Sequence, residues 1–408
     1  MSNRSGGNRG AVVEGLRRHN LSAVLERVHL AGPISRSELA AQTGLNRSTI
    51  RDLLGELAEL GLVVEITGTT SGGRGRPSAV AKARPEGAVV LAVELEVDFT
   101  AAATIGLGGH VFDRVRVQNP AGATAPEQIV ALLAQLSAPL VAALPPGHRL
   151  VGLGAAAAGV VRRDDGFVAV SPNRGWTDTP LGEMISASLG IDRVRVANEA
   201  DVGALGEFRR GAARNARNVI YVAGEIGVGL GIIHDGRPML GAAGYAGEAG
   251  HNVINPAGRE CRCGSIGCWE TEVGEEALAR HAGIRWDDYR HGLTDEVLRR
   301  AHAGDPQVFA AFREIGRWLG LGVANLVNTF NPDLVVFGGF YHPIYPFLEQ
   351  VIEEQAARTA LSAPWSSCTI CRSELGQDAR LVGAAELVLA EVIADPSSLV
   401  GPGAGGDC

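Results

Sequence analysis

The chain has 408 residues, 46% of them hydrophobic, and a formal net charge of −8, which is long and apolar enough for two or three domains with substantial cores. Its longest apolar run, Leu150 to Val161, is too short and too rich in glycine and alanine to span a bilayer. The polar first ten residues lack the apolar stretch of a secretory signal, so a cytoplasmic protein with no membrane attachment is expected.

Charge divides the chain. Residues 1–84 hold 12 of the 37 Lys and Arg and 7 of the 45 Asp and Glu, a net +5 that leaves −13 for the remainder. A basic N-terminal part on an acidic body points to a polyanion met by the former alone. Lys82 is the sole lysine, which excludes a Walker-type Gly-Lys-Ser/Thr loop and a family of lysine nucleophiles.

In chain order, Leu21, Val24, Leu25 and Val28 set an amphipathic helix from about Asn20 to Leu30, stopped by Gly32-Pro33. Ser35-Arg-Ser-Glu38 reads as a capping box opening a second helix through Thr43. After a turn at Gly44, Asn46 or Ser48 starts a third helix with Ile50, Leu53, Leu54 and Leu57 inward. This is helix-turn-helix spacing, and Gly61 to Ile66 followed by Gly68 to Ser78 reads as a strand and a wing. Ser35, Arg36, Asn46, Arg47, Ser48, Thr49 and Arg51 are the candidate DNA contacts, being residue types that hydrogen-bond bases and phosphates. Arg74 and Arg76, flanking Gly75, either enter a narrow A·T-rich minor groove or belong to a solvated linker.

From Gly87 the pattern becomes α/β. Strands are expected at Val89–Leu95, Phe99–Leu107 and Val111–Val117, a helix at Pro126–Leu144, and strands at Leu150–Val161 and Arg193–Ala197. A second cycle opens at Val219–Ala223 with a Gly-rich turn at 224–231, and the repetition suggests two lobes with a cleft between them.

His251, Cys261, Cys263 and Cys268 then offer one imidazole and three thiols within eighteen residues, a complete tetrahedral shell for zinc. Four protein ligands leave no open position, so such an ion is structural. Gly264 and Gly267 allow the loop to turn its sulfurs inward. Glu248 and Glu270 flank the cluster, and the metal would pin both carboxylates at the edge of one pocket, as acceptors for the hydroxyls of a small polyol. Cys368 and Cys371, a Cys-x-x-Cys pair without partners nearby in sequence, read as ordinary reduced thiols.

The succession of a helix-turn-helix, Ser171-Pro-Asn173, Asn198-Glu-Ala-Asp201, the Gly-rich turn, Gly244-x-x-Gly-Glu248-x-Gly-His251 and Cys261-x-Cys-Gly-x-x-Gly-Cys268-x-Glu270 resembles the ROK family from about Asn20 to Leu389. That family, named for repressors, open reading frames and kinases, joins sugar kinases to sugar-responsive transcription factors. The resemblance implies an N-terminal winged helix-turn-helix followed by a two-lobed, actin-like ATPase fold of the sugar-kinase kind. The expected division is 1–84 for the DNA-binding domain with its basic wing, 85–198 for the first lobe, completed by a helix near 379–394, 199–378 for the second lobe with the zinc site, and 395–408 for a disordered tail. It further implies that Asn173, Asn198, Glu199, Glu248, His251 and Glu270 hold a sugar.

The resemblance to the kinases fails at their chemistry. Where a first phosphate loop reads Asp-x-Gly-Gly-Thr, this chain has Glu94-Leu-Glu-Val-Asp98, placing side chains and negative charge where phosphates would lie. The second loop, Gly-Thr-Gly in the kinases, reads Glu225-Ile-Gly227, and the general-base Asp is matched by Glu199, whose extra methylene displaces the carboxylate. The expectation is therefore a non-enzymatic, sugar-responsive repressor of carbohydrate uptake or catabolic genes, released from an inverted-repeat operator by a monosaccharide and acting as a homodimer or homotetramer. A ROK-type sugar kinase is the alternative, and an activator shares every feature with the repressor.

Overall fold

A computed structural model of the chain describes residues 6–67, 79–120, 124–286 and 292–399. Helix α1 (Gly6–Ala31) begins well before Asn20, because the apolar rhythm marks only its buried half: Leu21, Val24, Leu25 and Val28 are covered, whereas Glu14 to His19 face solvent. A short strand β1 (Ile34–Ser35) leads into α2 (Arg36–Thr43) through the expected capping box, in which Ser35 Oγ accepts from the Glu38 amide and the Glu38 carboxylate accepts from the Ser35 amide. Asn46 caps α3 (Arg47–Glu59), which buries Ile50, Leu53, Leu54 and Leu57. Strands β2 (Val63–Thr67) and β3 (Ala79–Ala83) complete an antiparallel sheet in the order β1-β3-β2. The wing between them, with Arg74 and Arg76, lies outside the described residues.

The next elements are β4 (Val89–Leu95), β5 (Phe99–Gly106), β6 (His110–Gln118), α4 (Pro126–Ala142), β7 (Leu150–Ala157), β8 (Val160–Arg162), β9 (Phe167–Ser171), β10 (Trp176–Thr179), α5 (Leu181–Leu189) and β11 (Val194–Asn198). Five of these strands form a mixed sheet in the order β11-β7-β4-β5-β6, and β10-β9-β8 form a small antiparallel one. The run Leu150–Val161 is thus two strands rather than one, since the chain leaves the large sheet at Ala158-Gly159 and joins the small one.

Helix α6 (Glu199–Arg210) opens the second half, followed by β12 (Val219–Gly224), β13 (Val228–His234), β14 (Arg237–Pro238), α7 (Trp269–Val273), α8 (Glu275–His281), α9 (Leu293–His302), α10 (Pro306–Phe330), β15 (Leu334–Gly339), α11 (Tyr341–Thr359), α12 (Ser362–Ser366), β16 (Thr369–Arg372) and α13 (Ala379–Ala394). The second sheet runs β14-β13-β12-β15-β16, with β12 parallel to β15 and antiparallel to β13. The Gly-rich stretch at 224–231 is accordingly a tight turn at Glu225–Gly227 and then a strand, not one long turn. Helix α13 packs back on β4 and β7 of the first sheet and on α6. The tail expected from residue 395 is structured through Leu399: Pro396–Leu399 form a 3-10 turn against α1 and α13, because Pro396 and Leu399 add apolar surface to the core there. Residues 400–408 lie outside the described ones.

The winged helix does not close a core of its own. One apolar cluster runs from Leu21, Leu25, Ile50 and Leu57 through Val90 and Ile105 to Val388 and Val392. At its edge lies a buried polar knot. The Gly108 amide donates to His29 Nδ1 at 2.9 Å, which leaves Nε2 as the protonated nitrogen, donating to Glu386 at 3.0 Å. Arg210 donates to Glu386 at 2.8 Å and to the His29 carbonyl at 2.8 Å. Burial alone would raise the Glu386 carboxyl, but His29 and Arg210 more than reverse this and hold it at about 2.

Candidate functional site

The cleft between the two large sheets has a volume of about 820 Å³, and all six sequence-predicted sugar residues, Asn173, Asn198, Glu199, Glu248, His251 and Glu270, line it. They arrive from four places. Asn173 sits on the loop after β9, and Asn198 and Glu199 at the junction of β11 with α6. Glu248 and His251 share a 3-10 turn, and Glu270 lies in the first turn of α7. Asn198 is also the cap of α6: its Oδ1 accepts from the Ala200 amide at 2.7 Å and its Nδ2 donates to the Gly159 carbonyl at 2.9 Å. One Nδ2 hydrogen is left to give a ligand. Glu199 Oε2 is buried with no hydrogen-bond partner. Burial pushes the Glu199 carboxyl up to about 7 against the pull of Arg380, and burial likewise raises Asp201 to about 7. An unsatisfied carboxyl oxygen of that kind is a receptor for a ligand hydroxyl.

His251 joins this pocket to the metal-ligand cluster. Its Nε2 lies 3.9 Å from Glu248 and its Nδ1 3.6 Å from Glu270. The ligand atoms of His251, Cys261, Cys263 and Cys268 all fall within 4.8 Å of one another. Cys263 Sγ to Cys268 Sγ is 3.6 Å and Cys261 Sγ to His251 Nδ1 is 3.7 Å. A tetrahedral ion with bonds of roughly 2.0–2.3 Å spaces its ligands about 3.5–4 Å apart, so the residues present fit one. The loop reaches this shape through Gly267 at φ +75°, where a Cβ would stand 1.7 Å from the Asn255 carbonyl oxygen. Cys261 also touches Glu270 at 2.8 Å, so the cysteine cluster and a carboxylate of the cleft are in direct contact.

Three arginines of the cleft, Arg116, Arg262 and Arg380, escaped the sequence reading. Arg262, between two of the cysteines, donates to Asn173 Oδ1 at 2.9 Å and so reaches from the metal loop across to the first lobe. Arg380, in the first turn of α13, lines the same cleft. The only sequence signal for it was a lone cation in the first turn of a mostly apolar helix.

The DNA candidates lie together around the starts of α2 and α3, but several have local duties. Ser35 and Asn46 are helix caps, Arg36 pairs with Glu65 of β2, and Arg51 pairs with Asp52 at 3.1 Å. Exposed pairs of this kind are worth under about 1 kcal/mol and can be exchanged for phosphates. Arg47 and Ser48 are exposed and Thr49 half-buried on the leading turn of α3.

The ROK family model matches residues 90–391, and the model of the IclR helix-turn-helix domain matches residues 23–66. The chain belongs to the ROK family. Similar ROK relatives fall in two groups. The xylose repressor of Bacillus subtilis (strain 168) is 30% identical over 373 residues, 91% of this chain and 94% of that protein. The glucokinase of Streptomyces coelicolor is 32% identical over 303 residues, covering 70% of this chain and 93% of the kinase. Among solved structures, a ROK family transcriptional regulator described as a homolog of the E. coli MLC protein superposes with a TM-score of 0.75 at 26% identity, covering 93% of this chain and 97% of that one.

Around Glu94, Glu96 and Glu225 the cleft has an unexpected filling. The sequence led to an expectation of simple repulsion from Glu94, Glu96 and Glu225. Instead Arg380 Nη1 lies 2.9 Å from Glu94 and 3.1 Å from Glu96, its Nη2 lies 2.6 Å from Glu225, and Arg116 meets Glu94 at 3.1 Å. A guanidinium and its carboxylates therefore stand where the segments Glu94–Asp98 and Glu225–Gly227 converge. Burial pushes the Glu96 and Glu225 carboxyls upward, with Arg380 opposing it in both.

Proposed function

We propose that this ROK protein is a sugar-responsive DNA-binding repressor whose operator is released when a monosaccharide enters the cleft. The observation that carries the reading is a winged helix joined, in one chain, to a cleft lined both by the six polar residues and by the Arg380 ion cluster, which on this reading fills the place of the phosphates. The xylose repressor of Bacillus subtilis, similar over 91% of this chain, supports it and makes D-xylose the first effector to test. Asn173, Asn198, Glu199, Glu248, His251 and Glu270 hold the sugar. His251, Cys261, Cys263 and Cys268 hold a structural zinc ion, whose role is to fix His251 and Glu270 in position. Arg47, Ser48 and Thr49, with Ser35, Arg36, Asn46 and Arg51, and with Arg74 and Arg76 of the wing, contact DNA as a homodimer or homotetramer on an inverted repeat. Domain limits near residues 84 and 198, with α13 returned to the first lobe, belong to the same reading.

The test is a titration of D-xylose, D-glucose and other monosaccharides into protein bound to a duplex selected by the protein itself. Glu248→Gln removes a charge-assisted acceptor worth roughly 1.5–3 kcal/mol, so it should need about ten- to a hundredfold more sugar for release. If that variant lets go of DNA at the same sugar concentration as the parent, the cleft is not the sensor.

A second reading, that of a sugar kinase, is favoured by the similarity to the Streptomyces coelicolor glucokinase. On the repressor reading, millimolar ATP with magnesium and any of these sugars gives no sugar phosphate above background, and Glu199→Asp does not restore turnover because the Arg380 cluster still fills the phosphate half. Sugar phosphate formed by the unmodified chain decides for the kinase.

A further inference from the structure

Two helices begin at the cleft and end against the DNA-binding domain. Helix α6 carries Glu199 in its first turn and Arg209 and Arg210 in its last, a span of about 18 Å for twelve residues. Arg209 Nη1 donates to Glu26 of α1 at 2.7 Å, and Arg210 binds the His29 carbonyl and Glu386. Helix α13 carries Arg380 at the cleft and Glu386, the partner of His29, two turns further on.

The two helices are joined along their length as one body. At their crossing Gly206 and Gly383 face each other's backbones: a Cβ on Gly383 would stand 1.8 Å from the Val202 carbonyl oxygen, and one on Gly206 2.2 Å from that of Ala379. Next to the crossing, the buried Glu207 carboxylate of α6 accepts from the Ala212 amide at 2.7 Å and from the Leu375 amide, on the lead-in to α13, at 2.9 Å. With backbone against backbone at these two glycines, the helices have little room to slide, and a shift at one end is delivered at the other.

We propose that the α6–α13 pair is the lever that carries occupancy of the cleft to the winged helix, with Arg209–Glu26 and Arg210–His29–Glu386 as its output contacts. The input is double. A sugar held between Glu199 on α6 and Glu248, His251 and Glu270 on the other wall draws on the start of α6. Arg380 ties the start of α13 to Glu94 of the first lobe and Glu225 of the second, so any change in lobe separation reaches α13 as well. The output is α1, which shares one apolar core with α3 and α13 and so turns α3 with it. A ligand moves such a device only through its different affinity for the two positions. The lever rests on the sugar-responsive reading above.

The experiment uses the full chain, D-xylose and D-glucose as probes, and the selected duplex. The double variant Arg209→Gln/Arg210→Gln leaves every proposed sugar and DNA contact in place. It should bind sugar within about threefold of the parent, while the sugar-dependent change in operator affinity falls at least tenfold. The swap Glu26→Arg/Arg209→Glu should keep most of the parental response. Hydrogen exchange on the unmutated protein supplies a reading independent of folding in the variants: sugar should change protection of the last turn of α1 and of the Gly108 amide, which donates to His29. Parental coupling in the double variant, or altered exchange in the cleft with none at α1 and Gly108, overturns the lever alone. A parent whose operator affinity ignores every monosaccharide overturns the sensor reading and the lever with it.

Discussion

Arg380→Leu should destabilise the protein by about 3–5 kcal/mol, the cost of removing one partner from a buried ionic group. Arg380 and Glu94 are both nearly fully buried, and the guanidinium is shared by three carboxylates within 3.1 Å. Leucine fills part of the volume and supplies no charge. The deficit should depend on pH in a defined direction. The Glu96 and Glu225 carboxyls are already raised in the folded chain by burial, with Arg380 holding them back, so its loss raises them further. Carboxyls raised on folding contribute stability below their unfolded values and lose it as pH rises through the folded ones. Urea unfolding should therefore show a smaller gap between variant and parent at pH 5 than at pH 8. A difference under about 1 kcal/mol at pH 8, or a gap that widens on acidification, would show that the cluster is not held together as described.

Cys261→Ser should abolish metal binding and with it the sugar response. The purified parent should contain about one zinc per chain, and the variant less than a tenth of that, because three remaining ligands cannot close a structural shell. The consequence spreads through short contacts: Cys261 touches Glu270 at 2.8 Å and lies 3.7 Å from His251. Freed of the metal, both lose their fixed positions, and each charge-assisted bond lost from the sugar costs roughly 1.5–3 kcal/mol, or about ten- to a hundredfold in affinity apiece. Operator binding without sugar should persist, since Cys261 lies outside the apolar core that the winged helix shares with the first lobe. Plasma emission spectrometry on protein prepared without chelators, with sugar titrations beside it, checks both halves. Metal-free parent protein, or a metal-free variant with parental sugar affinity, would refute the linkage.

What the sequence by itself determined is local. The capping box at Ser35 and Glu38, the cap at Asn46, the inward leucines of α3 and the strand at Val89–Leu95 follow from hydrogen bonds and periodicities set within a few residues. The clustering of His251, Cys261, Cys263 and Cys268 was legible for the same reason, since they lie in one short stretch, and the six residues that line the cleft because they stand in motifs that a family resemblance can align. The tertiary structure decided whatever depends on residues far apart in the chain. It brought Arg380 to Glu94, 286 positions away, and so turned an expected repulsion into an ion cluster. It set His29 against Glu386 across 357 positions, merged the winged helix into the core of the first lobe, and kept Pro396–Leu399 ordered on α1 and α13. Propensity and spacing carry no information about which distant charge will meet which, because that choice is made by the packing of whole helices. The apolar surface those helices bury outweighs the preference of any single side chain.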